Sequence, residues 1–272
     1  MLICMTRDLI DERPRNWLGD QGDLGGLRGG QRCGQPWRRL RGWLGEVLAD
    51  LLALLWPCAC LMCGAPNRQL CRDCRARLRA TVGTAQLARS SSGREVWVYG
   101  SYVGALRALL VACKHGGAVR LAAPLGELLS GPLLLALESQ QARAPVLLVT
   151  APSRAARVRA RGYRHVDLLV RRALRCLRTR GDPGPYLVVG GLQALPGRTG
   201  QVGLRAGERE RNAALVRVPK RMLGRLRGRE VVLVDDIVTT GATLDAAATA
   251  LEAAGATVIA TVALAAAERR SA

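Results

Sequence analysis

The chain has 272 residues, 49% of them hydrophobic, and a formal net charge of +20. That apolar content excludes wholesale disorder, and the length suits one large domain with an appendage. All but two of the 41 basic residues are arginine, the exceptions being Lys114 and Lys220. Such a charge gives affinity for phosphates or nucleic acid, or is a solvated surface, and it says little about fold. The nine cysteines are an odd number, and no secretory apolar run precedes them. A secreted disulfide framework is therefore not expected, and the cytoplasm is the expected location.

Residues 1–40 mix Arg, Asp, Gly and Gln without periodicity and read as a disordered extension. Over residues 41–57, Leu44, Val47, Leu48, Leu51, Leu52 and Leu55 recur at helical spacing, and Pro57 ends the run. This predicts a packing helix. Glu46 and Asp50 interrupt it, and it is too short to cross a bilayer.

Residues 58–80 carry two C-x-x-C pairs, Cys60/Cys63 and Cys71/Cys74, with Gly64 directly after the first. Two such knuckles supply four thiolates to one tetrahedral Zn²⁺, and a fully protein-liganded site is structural, not catalytic. A redox reading explains one pair but not two. Cys58 either substitutes for Cys60 or lies beside the site. A short basic helix follows, and residues 81–93, ending in Ser90-Ser-Ser-Gly93, read as a linker.

From residue 94 to 268 strands and helices alternate, which predicts an α/β domain with a mostly parallel sheet flanked by helices. Glu95–Gly100 reads as a strand. A helix then places Leu106, Leu109, Leu110 and Cys113 on one face and closes at Lys114-His115-Gly116-Gly117. Lys114 reads equally as a phosphate contact or a helix C-cap. Residues 121–138 read as a helix and Pro145–Thr150 as a buried strand. The strand runs into a basic segment holding Pro152, Ser153, Arg154, Arg157 and Arg161. Arginine forks suit phosphate oxygens at that strand edge, and the alternative is a solvated helix start. His165 reads as a surface or packing residue. An amphipathic helix covers 166–178, Leu187–Val189 is a short strand, and 192–212 is a polar loop or helix.

The last unit is the most informative. Val231–Val234 is apolar on both faces, as a buried parallel strand requires. Asp235 and Asp236 stand where it is expected to leave the sheet, on the edge where open α/β sheets bind ligands. Thr239, Thr240, Gly241, Ala242 and Thr243 then open a helix, so backbone N–H groups, hydroxyls and the helix dipole can cradle a phosphate. That helix places Leu244, Ala247, Leu251 and Ala254 on one face, and Thr257–Leu264 is the final strand.

The Val231–Thr243 run resembles the phosphoribosyl-pyrophosphate (PRPP) loop of type I phosphoribosyltransferases. The likeness implies that Asp235 and Asp236 hold the ribose hydroxyls as the catalytic pair and that residues 239–243 wrap the 5-phosphate. The basic segment with Pro152, Ser153, Arg154, Arg157 and Arg161, at the same predicted sheet edge, is then the expected pyrophosphate site, with Lys114. Over residues 44–268 the chain is similar to the ComF family. The shared features are the paired C-x-x-C module, Tyr102-x-Gly104 with Lys114-x-x-Gly117, and Pro152-Ser-Arg154 with Arg159-x-Arg161-Gly-Tyr163. Gln201-x-x-Leu204 with Arg209-x-x-Asn212, and the run at 231–243, complete the set. It departs from that family at Thr150-Ala151 and at Tyr163-Arg164-His165. The resemblance implies PRPP and Mg²⁺ binding, and transfer of a phosphoribosyl group in connection with competence and DNA uptake. A different class of function, a PRPP-sensing adaptor for single-stranded DNA or competence proteins, is compatible with the same residues.

Overall fold

The computed structural model describes residues 59–81, 84–115, 117–140, 145–153, 155–181, 184–195 and 216–267. The expectations for residues 1–57, Cys58, Arg154 and the 201–212 motif lie outside the described residues. Two compact units divide between Cys74 and Arg75. The first contributes the cysteine segment and the start of helix α1 (Arg72–Ala80).

In the second unit the strands are β1 (Gln86–Arg89), β2 (Glu95–Ser101), β3 (Leu147–Thr150), β4 (Leu187–Val189), β7 (Glu230–Val238) and β8 (Thr257–Ala266). A small pair, β5 (Gln193–Ala194) and β6 (Val216–Arg217), stands apart. The helices are α2 (Gly104–His115), α3 (Ala122–Ser139), α4 (Ala155–Arg161), α5 (His165–Thr179), α6 (Lys220–Leu226) and α7 (Ala242–Ala253). The main sheet has six strands in the order β1-β2-β8-β7-β3-β4, all neighbours parallel except β1 against β2. This is the mostly parallel α/β architecture that the alternating pattern predicts.

Strand alternation explains why the sheet is apolar on both sides. Leu147, Val149, Val231 and Leu233 join Leu244, Ala247, Ala248 and Leu251 of α7 in one core layer. Leu148, Val232 and Val234, equally inaccessible, alternate with them, and α3 and α5 pack on β2, β3, β7 and β8. The segment Val119–Ser139 is long and apolar enough for a membrane span, yet it is mostly buried in this core. The predicted face of α2 is the buried one: Leu106, Leu109, Leu110 and Cys113.

The fold differs from the sequence reading at two places that shape the ligand edge. The Ser90–Gly93 run is the turn of the β1–β2 hairpin and not part of a linker, with Ser90 N–H donating to the Arg94 carbonyl at 2.9 Å and Gly93 N–H to that of Ser90 at 3.1 Å. Sequence pattern hides β1 because Gln86-Leu-Ala-Arg89 is an exposed edge strand with little apolar character. Nor does β7 end at Val234. It stays paired with β8 through Val238↔Ala266, whereas its pairing with β3 stops at Thr150↔Val234. Asp235 and Asp236 therefore lie where the sheet is closed on one side and open on the other.

Candidate functional site at the open edge of the sheet

That opening has a topological cause. From β3 the chain passes through α4 and α5 outward to β4, and from β7 it passes through α7 to β8 on the other side. Neighbouring parallel strands whose connections diverge leave a crevice at their carboxyl ends, where ligands of such sheets bind. The Ala151 N–H donates to the Val234 carbonyl at 2.8 Å, so the Pro152–Ser153 loop starts directly beside the carboxylate pair.

Asp236 is 4% exposed and is held from three directions. Lys114 Nζ at the end of α2 lies 2.6 Å from its Oδ2, and His165 Nε2 at the start of α5 lies 2.9 Å from the same oxygen. Its Oδ1 accepts the Ile237 N–H at 3.0 Å. Burial works against its ionisation, but Lys114 and His165 outweigh that and hold its carboxyl well below the usual carboxylate range. Lys114 shows the reciprocal balance: burial disfavours its ammonium, and Asp236 more than restores it. Asp235 is half-buried. Burial, with the neighbouring Asp236 charge, pushes its carboxyl up to about 8. Its Oδ1 accepts the Asp236 N–H at 2.8 Å. A carboxylate offers about four lone-pair sites. Three on Asp236 are used internally, so Asp235 has the greater capacity to accept ligand hydroxyls.

The basic side of the site is built by the segment from Arg157 to His165. Arg161 closes α4, with its Nε donating to the Arg157 carbonyl at 3.2 Å and its Nη1 2.8 Å from His165 Nδ1. Tyr163 Oη donates to the Cys113 carbonyl at 2.9 Å, which docks this segment onto the end of α2 beside Lys114. Lys114, Arg157 and Arg161 act electrostatically on His115, whose pKa is lowered first by burial and then by these cations. Several positive groups thus gather around two carboxylates. In this network the ion pair of Lys114 with Asp236 is not part of the sequence reading, and of the two readings of His165, surface or packing, the structure gives the buried one. No local pattern could have revealed either, since residues 165 and 236 meet only through the fold.

The Thr/Gly turn is held differently. Gly241, φ +81°, is the left-handed N-cap of α7, and Ala242 N–H donates to Thr240 Oγ1 at 3.3 Å. A Cβ at 241 would stand 2.3 Å from that of Ser90, so glycine is required twice, by conformation and by contact. The hairpin turn lies on this loop: Ser91 N–H donates to the Thr240 carbonyl at 2.6 Å, Ser91 Oγ lies 3.3 Å from Asp245 Oδ2, and Ser92 N–H donates to the same oxygen at 3.2 Å. An open depression of about 290 Å³ adjoins the turn, lined by Ala88, Arg89, Val238, Thr239, Ala266 and Ala267.

In the first unit, the sulfurs of Cys60, Cys63, Cys71 and Cys74 lie within 4.8 Å of one another. Thiolates at about 2.3 Å from a tetrahedral Zn²⁺ stand roughly 3.8 Å apart, so the set fits that ion after a slight contraction. Gly64 takes φ +76° after the first knuckle, its N–H donating to the Cys60 carbonyl at 2.8 Å. Cys71 N–H lies 3.4 Å from Cys60 Sγ, and Cys74 N–H 3.5 Å from Cys71 Sγ.

Of the residues singled out in the sequence, Lys114, Arg161, Asp235 and Asp236 are brought into one network, with Pro152 and Ser153 on the adjoining loop. Residues 239–243 form the turn at the α7 N-terminus. Arg154 lies outside the described residues. Residues 197–272 match the phosphoribosyl transferase domain family, so the C-terminal part of the chain carries that domain, including β7, the turn and α7. No curated protein matches the chain.

Proposed function

We propose that this protein binds PRPP with Mg²⁺ and transfers its phosphoribosyl group to an acceptor. The observation that carries this reading is the carboxylate pair at the open end of β7. The left-handed Gly241 turn follows it, and the basic Arg157–Arg161 segment lies across the same edge. Residues 239–243 would receive the 5-phosphate, Asp235 with Asp236 the ribose hydroxyls, and Arg154, Arg157 and Arg161 the pyrophosphate, with Lys114 and the Pro152–Ser153 loop beside it.

The acceptor attacks C1 of the ribose, the bond from C1 to the pyrophosphate oxygen breaks, and the pyrophosphate leaves with the electron pair. Mg²⁺, when bound with the substrate, neutralises charge on the pyrophosphate. The chain's own contribution is electrostatic: the guanidinium groups of the basic segment stabilise the leaving group, Asp235 orients the ring, and the ionised Asp236 beside it offsets positive charge growing there. No covalent nucleophile is needed.

The four-cysteine cluster followed by this domain supports membership of the ComF family, a cytoplasmic setting and an association with competence and DNA uptake. On this reading residues 58–80 are a structural zinc module, and the transferase-like domain at 94–268 also takes in the β1 hairpin. Metal analysis of fresh protein then gives about one zinc per chain; less than half an equivalent contradicts the zinc site.

A second reading is favoured by the surface of α5. Arg171, Arg175 and Arg178 are exposed on successive turns, and no carboxylate lies within ion-pair distance of them among the described residues. In that reading PRPP is a regulatory ligand, and the protein is an adaptor for single-stranded DNA or competence proteins. Mg²⁺-dependent release of pyrophosphate from PRPP, abolished by Asp235→Asn with Asp236→Asn, supports the transferase. Strongly salt-dependent DNA binding that those changes leave intact, without pyrophosphate release, supports the adaptor.

A further inference from the structure

One of the chain's two histidines sits at the centre of the network. His165 is 4% exposed and is engaged at both ring nitrogens, Nδ1 by Arg161 Nη1 at 2.8 Å and Nε2 by Asp236 Oδ2 at 2.9 Å. A guanidinium has donors only and does not lose its proton. Nδ1 is therefore the acceptor and bears no hydrogen, so Nε2 carries the ring proton and donates it to Asp236. The groups facing the imidazole are Arg161 from α4, Asp236 from β7, and Lys114 from α2 on the shared carboxylate oxygen. The one negative charge already has a full cation at 2.6 Å, and a second cation touches the ring.

We infer that His165 is a positioning residue, a neutral Nε2–H donor that fixes the Asp236 carboxylate and couples it to Arg161 of the basic segment. It is not a general base. The chain of bonds runs from the segment assigned to the leaving group, through the imidazole, to the acidic pair assigned to the ribose. The two halves of the site are thereby held in one geometry before ligand arrives, which is the pre-organisation that electrostatic catalysis requires. The consequence for ligand binding rests on the PRPP reading, whereas the tautomer and its two bonds do not.

Glutamine reproduces both roles, its carbonyl accepting from Arg161 and its amide donating to Asp236, whereas phenylalanine reproduces neither. Ring ¹⁵N spectra of the ligand-free full-length protein near neutral pH, assigned by loss of signals in His165→Gln, should show His165 as the neutral Nε2–H tautomer. An Nδ1–H tautomer or an imidazolium would overturn the inference. Calorimetry with Mg²⁺ and PRPP should place His165→Gln within about threefold of wild type and weaken His165→Phe by roughly tenfold or more. Equal affinities for all three proteins, or equal loss in both variants, would overturn it. Should wild type itself bind no PRPP, the ligand reading fails while the ring spectra still decide this inference. The spectra also decide it if His165→Phe does not fold.

Discussion

Asp236 of the carboxylate pair and Gly241 of the phosphate turn are five residues apart in sequence, yet they are secured by different physics. Asp236 is held by one full charge and a hydrogen bond: the Lys114 ammonium from α2 and the His165 Nε2–H from α5 converge on one buried oxygen. The Gly241 turn is held by fit: a left-handed glycine against Ser90, and backbone and hydroxyl bonds from the Ser90–Gly93 hairpin turn. A charged anchor responds to pH and to loss of a partner. A steric anchor responds to added volume. The contrast also assigns work within the pair, because Asp236 spends its lone pairs inside the protein while Asp235 retains capacity for a ligand.

The largest effect should come from cutting the charged anchor. Lys114→Met leaves Asp236 buried with the neutral His165 and the Ile237 N–H, and should destabilise the protein by about 3 kcal/mol. Urea unfolding measures this, and a loss under about 0.5 kcal/mol would mean that Asp236 does not depend on its cation. The steric anchor should yield somewhat less. Gly241→Ala forces a Cβ into the left-handed region, costing about 1–2 kcal/mol before its overlap with Ser90 is counted. Its signature is selective: PRPP affinity collapses while the charged network is untouched. Retained affinity in a folded Gly241→Ala protein would show that the turn is not the phosphate cradle.

The smallest effect is a pH slope that separates the two carboxyls. The folded-state pKa of Asp235 is raised to about 8 from an ordinary 3.8. The folded protein therefore binds the extra proton between those values, and the stability tied to it is fully present below the lower one and lost as pH rises through the upper. The slope is at most about 1.4 kcal/mol per pH unit in ligand-free protein, and Asp235→Asn removes it. Asp236 has the opposite sign: its pKa is depressed, so its contribution is present above the ordinary carboxylate pKa and is lost as pH falls through its folded value. Unfolding free energies of ligand-free wild type and Asp235→Asn across the neutral range test the first claim. Identical slopes would contradict it.

Much of this was readable in the chain. Val231–Val234, Pro145–Thr150 and Thr257–Leu264 are apolar on both faces, which only strands buried between two layers require, and all three contribute to the sheet. The Asp pair and the Thr/Gly turn were legible because each residue type serves a local purpose at a strand end or helix start. What was hidden depends on contacts distant in sequence. Nothing around His165 announces a bond to a residue 71 positions away, and nothing around Lys114 names its carboxylate. The Ser90–Gly93 run has a linker's composition because a tight turn and a flexible linker use the same small residues. The continuation of β7 past Val234 was hidden because two acidic residues tolerate pairing on one side when the other side is open.

The central claim is that this edge of the sheet binds PRPP through the acidic pair. Calorimetry of PRPP with and without Mg²⁺, on wild type and on Asp235→Asn with Asp236→Asn, tests it most directly. The predicted result is Mg²⁺-dependent binding by wild type and none by the folded double variant. No binding by wild type, or unchanged binding by the variant, would contradict it.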